Sequence, residues 1–97
     1  MPISIVSRLT CKDGKQVEMV SALKAMQSAV QENEPGTTFF LIHKCRKDPL
    51  AYYIVEQYED KVAGDAHGES DAFKKSVELL REVVDNPPEH FSMDLIE

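Results

Sequence analysis

The sequence lacks the features that mark membrane proteins and nucleic-acid-binding proteins. No segment approaches the roughly 20 apolar residues that a membrane-spanning helix requires, and the N-terminal region has no apolar stretch of signal-peptide length. Basic residues are scarce: the chain has 11 basic and 17 acidic side chains, which gives a net charge of -6. No basic run is longer than Lys74-Lys75. Nucleic-acid binding therefore lacks its electrostatic footprint. We expect neither membranes nor nucleic acid as partners.

Cysteine is also rare. The two cysteines, Cys11 and Cys45, form no CxxC motif, so we expect a soluble, cytoplasmic protein of a reducing compartment. His43 and Cys45 share a strand face, but no third or fourth ligand accompanies them at a recognised spacing. Zinc sites need three or four ligands. We therefore expect no metal site.

The length indicates one small domain, residues 1–97, because no Pro/Gly/Ser-rich stretch or charge block divides the 97-residue chain. A domain of this size buries only about two-thirds of the surface that its unfolded chain exposes. Its own stability would be marginal. Association with a second copy would therefore stabilise the fold.

The first third of the chain predicts a strand and a helix. Residues 3–9 alternate well enough to form the strand. Asp13 stands where a helix N-cap belongs, with Gln16 three residues later to complete a capping-box pattern. The helix then runs to about Asn33 and is stopped by Pro35-Gly36. Its predicted inward stripe, at helical spacing, consists of Val17, Val20, Leu23, Met26 or Ala25, and Val30.

The middle of the chain contains two segments that are apolar on both faces. Phe39-Phe40-Leu41-Ile42 and Tyr52-Tyr53-Ile54-Val55 do not alternate apolar with polar residues, as a strand with one solvated face would. We expect strands at residues 38–45 and 51–58, joined by the polar turn of residues 46–49 and paired antiparallel. Both faces of this hairpin must be covered.

A second helical region and a last strand complete the chain. Asp60 is placed to cap a short helical turn that breaks near Gly68, and Ser70 is placed to cap a longer helix. Asn86-Pro87-Pro88 ends that helix, because neither proline can donate the next hydrogen bond. Residues 91–96 then alternate as a strand. The predicted inward stripe of the longer helix is Phe73, Val77, Leu80 and Val84.

The element order β-α-β-β-α-β predicts an α+β, ferredoxin-like fold, with both helices on one face of a four-stranded antiparallel sheet. The helices cover only half of the apolar positions in the central strands. The other half would form an exposed patch too large for a monomer. A second sheet packed face to face would bury that patch, so we expect a homodimer through the sheet.

Three short motifs resemble those of the antibiotic biosynthesis monooxygenase (ABM) domain family, whose members are dimeric α/β barrels. They are Glu34-Pro35-Gly36 before the second strand, Glu56-Gln57-Tyr58 in the third strand, and Asp65-Ala66-His67 followed by Ser70 and Phe73. The resemblance in element order covers nearly the whole chain. It implies a pocket in each subunit between the sheet and the helices. It also implies oxygenation of a small aromatic or quinol-like substrate without a cofactor.

His67 and Glu56 are the candidate catalytic residues. Histidine is the residue type most often used as a general base in proton transfer, so His67 is suited to take a phenolic proton. Its alternative role is to hydrogen-bond the short helix. Glu56 shares a strand face with Ile54 and Tyr58, and a partly buried carboxylate there would serve as acid or base. Its alternative role is a structural pairing with Arg8 or a neighbouring lysine.

Four further residues are predicted to enclose the substrate: Phe40, Tyr58, Phe73 and Ser7. His90, just after Pro87-Pro88, is expected at the surface or at an interface.

Other members of the family isomerise small phosphorylated, sugar-like diones, so the resemblance also leaves a small-molecule isomerase as a less favoured alternative. Three further alternatives remain beside the oxygenase. A haem-degrading role is disfavoured, because Ser7, His67 and Val77 stand where that branch of the family carries Asn, Trp and the iron-ligating His. A tautomerase using Pro2 as its base is also disfavoured. Tautomerases that use such a proline have a βαβ unit with a parallel partner strand, whereas here an antiparallel hairpin is predicted after the first helix. A non-catalytic module that binds a small ligand is the main alternative, since the chain has no tryptophan and some oxygenase members of the family use one in the pocket.

Overall fold

The computed structural model describes all residues except the side chain of residue 72, and the described chain forms three helices and four strands. In chain order they are β1 (Ile3–Thr10), α1 (Gln16–Asn33), β2 (Thr37–Lys44), β3 (Ala51–Tyr58), α2 (Lys61–Glu69), α3 (Asp71–Arg81) and β4 (Glu89–Asp94). This is the predicted ferredoxin-like fold. The second helical region, expected as a turn and a helix, consists of two helices.

The strands form one antiparallel sheet in the order β2-β3-β1-β4. The central strands β1 and β3 pair over their whole length, from Ile3 opposite Tyr58 to Thr10 opposite Ala51. The predicted bounds of β3 are confirmed, and β2 begins one residue earlier than predicted. β4 begins two residues earlier than expected, because Glu89 already pairs with Arg8 of β1.

Helix α1 packs on the sheet with a different stripe from the predicted one. Val17 is 81% exposed and Ala25 is also exposed, so neither belongs to the core. The buried stripe, spaced at i, i+3, i+4, i+7 and i+11, consists of Met19, Ala22, Leu23, Met26 and Val30. The predicted Leu23, Met26 and Val30 are confirmed, and Val20 is partly buried against the core. The prediction was wrong at Val17, because Met19 and Ala22 supply the buried positions near the N-terminus of the helix.

The predicted cap of α1 is also wrong. Gly14 has a φ of 86°, a left-handed turn conformation that suits glycine, and the helix begins only at Gln16. Asp13 therefore lies too far before the helix to cap it. Its carboxylate accepts a hydrogen bond from the side-chain amide of Gln16 at 3.5 Å instead.

The caps of the other two helices are confirmed. Asp60 accepts a hydrogen bond from the backbone N–H of Ala63 at 2.9 Å, and Ser70 accepts one from the backbone N–H of Phe73 at 3.0 Å. These bonds satisfy backbone donors that a helix start leaves unpaired.

Helix α3 ends at Arg81, five residues before Asn86, where it was expected to stop. The chain leaves the helix because it pairs with the end of β1: Val84 forms a bridge with Cys11, and the Asp85 N–H donates to the Thr10 carbonyl at 2.8 Å. Val84 thus belongs to a backbone bridge rather than to the helical stripe.

The face of the sheet opposite the helices carries an apolar row. Leu41, Val55, Val6 and Phe91 stand in register across the four strands. Leu41 is 48% exposed and Phe91 is 55% exposed. We call this row of four residues the open-face row. Among the helices of the described chain, none is long and apolar enough to cross a membrane.

Candidate active site

A cavity of about 770 Å³ lies between the sheet and the helices. Its floor is formed by alternate residues of β1, β3 and β4, which point to the helix side of the sheet. The segment of residues 81–88 lies along one border of the cavity. Most of the lining surface is apolar. The polar residues that line it are Ser7, Glu56, His67, His90 and Ser92 in the strands and α2, and Arg81, Asp85 and Asn86 at the border.

His67 is held at the cavity by a buried carboxylate. It lies near the end of α2 and is only 6% exposed. Its Nδ1 is hydrogen-bonded to Oε1 of Glu34, the residue that follows α1. The second carboxylate oxygen of Glu34 lies 3.5 Å from the Ser70 hydroxyl, which is also 3.0 Å from the His67 carbonyl oxygen. The end of α1, the end of α2 and the cap of α3 therefore meet at this buried His67–Glu34 pair.

Aromatic rings surround the same imidazole. The ring centroid of Phe73 lies 4.4 Å from that of His67, that of Tyr58 lies 5.2 Å away, and that of Phe40 lies 6.2 Å away. All three pairs are tilted. These contacts restrict rotation of the ring and keep water from it.

Glu56 is a second titratable group in the cavity, also 6% exposed. Burial raises its pKa to about 7, and the negative charge of Glu34 adds to the rise, while the Tyr58 hydroxyl opposes it. Among the described residues Glu56 forms no ion pair. The pairing with Arg8 does not occur, because Arg8 lies on the other face of the sheet and binds Asp48 at 3.2 Å.

A serine and a histidine form a further polar pair on the cavity floor. The hydroxyl of Ser7 lies 2.8 Å from Nδ1 of His90, its partner across β1 and β4. Ser7 is buried and His90 is exposed. The surface position expected for His90 is therefore correct, and the residue also lines the cavity.

The structure brings together all but one of the predicted site residues. The residues that line the cavity are His67, Glu56, Phe40, Phe73 and Ser7. Tyr58 instead lies behind His67, is fully buried, and has a pKa raised by burial and by Glu56. Its hydroxyl is near Glu56 but makes no regular hydrogen bond to any described residue.

Glu34 is the site residue that sequence reasoning missed. It appears in the sequence within a turn motif at a helix end, where a carboxylate is usually solvated. Its contact with His67 spans 33 positions of the chain, and no local pattern indicates it. Within the described part of the chain, no group of three His, Cys, Asp or Glu side chains is arranged to hold a metal ion.

The fold and the cavity define a class: a ferredoxin-like domain with an apolar, small-molecule-sized pocket that contains a histidine and a buried carboxyl group. The family follows from comparison with known proteins. Residues 2–79 match the model of the family described as antibiotic biosynthesis monooxygenase. The chain belongs to this family.

Solved structures show the same fold. A Caulobacter crescentus protein that bears the family's name has a TM-score of 0.95 and 23% identity, over 99% of this chain and 91% of that one. Rv0793 from Mycobacterium tuberculosis has a TM-score of 0.90 and 16% identity, over 100% and 97% of the two chains. SnoaB, a cofactor-independent oxygenase from Streptomyces nogalater, has a TM-score of 0.86 and 18% identity, over 99% and 94%. Comparison with curated proteins gave no match.

Proposed function

We propose that the protein is a cofactor-independent monooxygenase that acts on a small aromatic or quinol-like substrate. One observation carries the proposal: His67 and Glu56, a base and a carboxyl group with a pKa of about 7, line the same mostly apolar cavity. An acid and a base with suitable pKa values are what proton transfers near neutral pH require. Family membership and the likeness to SnoaB support the same class of reaction.

The substrate supplies the electrons in this reaction. His67 takes a phenolic proton, and the resulting electron-rich phenolate reduces dioxygen and forms a carbon–oxygen bond to it. The imidazolium of His67 returns its proton to the outer oxygen, which gives a hydroperoxide on the ring carbon. The protonated carboxyl group of Glu56 gives a second proton to that oxygen as the O–O bond breaks, so that it leaves as water. The ring carbon loses its hydrogen as a proton, which restores the carboxyl group of Glu56, and the C–H electron pair forms the new carbonyl. For a hydroquinone the balance is hydroquinone plus O₂ giving hydroxyquinone plus H₂O, a four-electron oxidation of the substrate.

The apolar lining favours this chemistry in two ways. Phe40 and Phe73 offer flat apolar surface to an aromatic ring. Exclusion of bulk water strengthens the interaction between the phenolate and the imidazolium that forms on His67. Ser7, with its hydroxyl on the cavity floor, is available to hydrogen-bond a second oxygen of the substrate.

We also propose that the working form is a homodimer that packs through the open-face row. The row is apolar, stands in register across all four strands and is exposed at both ends, at Leu41 and Phe91. Burial of such a patch against the same patch of a second copy gives the self-complementary interface of a two-fold dimer. The protein is a small globular domain, and we expect it in the cytoplasm.

Oxygen uptake by the metal-free protein against a panel of hydroquinones tests the activity. We expect uptake above the autoxidation rate, with one O₂ consumed per substrate and no oxygen returned on addition of catalase, because a monooxygenase releases water rather than hydrogen peroxide. His67→Ala should lower kcat at least about 100-fold. Val62→Ala, a change at an exposed site on the same helix as His67 and outside the cavity, should leave it unchanged.

The alternative function has its own signature. Stabilisation of the protein by a quinol or related aromatic, without oxygen uptake for any member of the panel, would reject the oxygenase. It would support the non-catalytic ligand-binding module.

A further inference from the structure

We propose that Glu34 is a positioning residue: it holds His67 in one tautomer, with the proton on Nδ1, so that Nε2 is the proton acceptor that faces the cavity. The tautomer follows from the fold alone. Its consequence for catalysis rests on the proposed oxygenase function.

The chemistry of the contact assigns the proton. An ionised carboxylate only accepts hydrogen bonds, so the imidazole nitrogen that contacts Glu34 must donate. A neutral imidazole has one N–H, and when Nδ1 carries it, the lone pair is on Nε2. Histidine tautomers are set by the hydrogen bond that the other ring nitrogen makes. Glu34 therefore determines which nitrogen of His67 can act as a base.

Burial makes this assignment firm. The side chains of His67 and Glu34 are each only 7% exposed, so water offers little competition for either ring nitrogen or for the carboxylate. The rings of Phe73 and Tyr58 lie within 4.4 Å and 5.2 Å of the imidazole centroid. A rotation that would exchange the two nitrogens is opposed by these rings.

Glu34 is itself fixed from several sides. Its N–H donates to the Val30 carbonyl at 3.0 Å, and its carbonyl accepts from the Thr37 N–H at 3.0 Å, so the backbone is held at both ends of the turn. The Ser70 hydroxyl lies 3.5 Å from its second carboxylate oxygen. A positioning residue must be rigid, and these contacts provide the rigidity.

The same carboxylate acts on the second titratable group of the cavity. Its negative charge contributes to the raised pKa of Glu56. Glu34 therefore orients the base and also favours the protonated form of the acid. Neither effect requires Glu34 to touch the substrate.

Nitrogen NMR of the imidazole rings in the full-length, ¹⁵N-labelled protein tests the tautomer directly. At alkaline pH, where imidazole is neutral, we expect His67 to show a protonated Nδ1 and an unprotonated Nε2. In Glu34→Gln the amide can either accept from or donate to Nδ1, so both tautomers should appear. The wild-type spectrum decides the tautomer even if the variant fails to fold. A wild-type His67 with its proton on Nε2 would overturn the proposal.

Kinetics test the consequence. Glu34→Gln should lower kcat at least about tenfold with little change in KM, because a misplaced proton affects the chemical step more than binding. Glu32→Gln, the same change at an exposed site in the last turn of α1, should match the wild type in spectrum and rate. A mixed tautomer with an unchanged kcat would overturn the positioning role. The expected wild-type tautomer in a protein without oxygen uptake would instead reject the proposed function and leave the tautomer assignment standing.

Discussion

Gly36 and Ala63 are in close contact, such that a methyl group on Gly36 would stand 2.6 Å from the Cβ atom of Ala63. This contact joins the turn after α1 to the first turn of α2. Glu34 precedes the same turn, and His67 follows on the same helix. The absence of a side chain at position 36 therefore lets the helix approach closely enough for the two to bond.

Gly36→Ala should lower the free energy of unfolding by about 1–3 kcal/mol, because the added methyl group would force α2 away from the turn. Urea denaturation measures the change. Gly68→Ala is the matched control, since a Cβ atom there meets nothing within 4 Å and alanine is the better helix former. The free energy of unfolding of that variant should rise by about 0.5–1 kcal/mol. Equal stability of Gly36→Ala and the wild type would show that the contact relaxes without cost.

The stability of the protein should fall as pH rises through the titration of Glu56. In the unfolded chain this carboxyl group ionises around its ordinary pKa of 4.5, whereas in the folded protein its pKa is about 7. Between these values the unfolded state has lost the proton that the folded state retains, so stability declines with rising pH and levels off above about 7. The free energy of unfolding of Glu56→Gln, relative to that of the wild type, should therefore rise by about 3 kcal/mol from pH 4 to pH 8.

Denaturation at both pH values measures this gain. Glu59→Gln, one residue beyond β3 and exposed, should follow the wild type at each pH. If the stability of Glu56→Gln changed with pH as that of the wild type does, Glu56 would have an ordinary pKa. It could then not serve as the acid assigned in the reaction.

Val6→Glu should prevent association through the open-face row. Val6 lies between Val55 and Phe91 in the row, so a second copy would bury two unpaired carboxylates at the centre of the contact. We expect the dissociation constant of the dimer to rise at least about 100-fold. Light scattering across a concentration series measures it. Val62→Glu, the same change at an exposed site on α2, should leave the dimer intact. A wild-type monomer at micromolar concentration would contradict the dimer altogether.

Ser70→Ala should destabilise the protein by about 1 kcal/mol, because the hydroxyl caps α3 by accepting from the Phe73 N–H. Thermal or urea denaturation measures the loss. Ser28→Ala, at an exposed position within α1, removes a hydroxyl that caps nothing and should be neutral or slightly stabilising. An effect at Ser70 no larger than at Ser28 would show that water replaces the cap.

Local signals predicted most of the fold. The bounds of β3 and the caps Asp60 and Ser70 depend on neighbouring residues, and all were correct. One error was local, since the left-handed turn at Gly14 delays the start of α1 and leaves Asp13 outside the cap position. The end of α3 was missed because tertiary contacts decide it. Helix α3 stops at Arg81 because the following residues pair with β1, and this pairing leaves no mark on the sequence around position 81.

The site was predictable to a similar extent. Strand alternation placed Glu56 on the same face as Ile54, and in the structure both residues line the cavity on the helix side of the sheet. Alternation does not distinguish a residue that lines a cavity from one that lies behind it, so Tyr58 was assigned to the pocket although it packs behind His67. The Glu34–His67 contact joins the ends of α1 and α2, and only the folded chain brings these ends together.

The segment that follows α3 and the start of β4 are both attached to β1. Asp85 bonds to Thr10, Glu89 pairs with Arg8, and only residues 86–88 lie between. Two of those three residues are prolines, whose φ angles are fixed by their rings. This border of the cavity is thus a short, stiff span tied at both ends to one strand. It is fixed relative to the sheet and is not free to move as a lid.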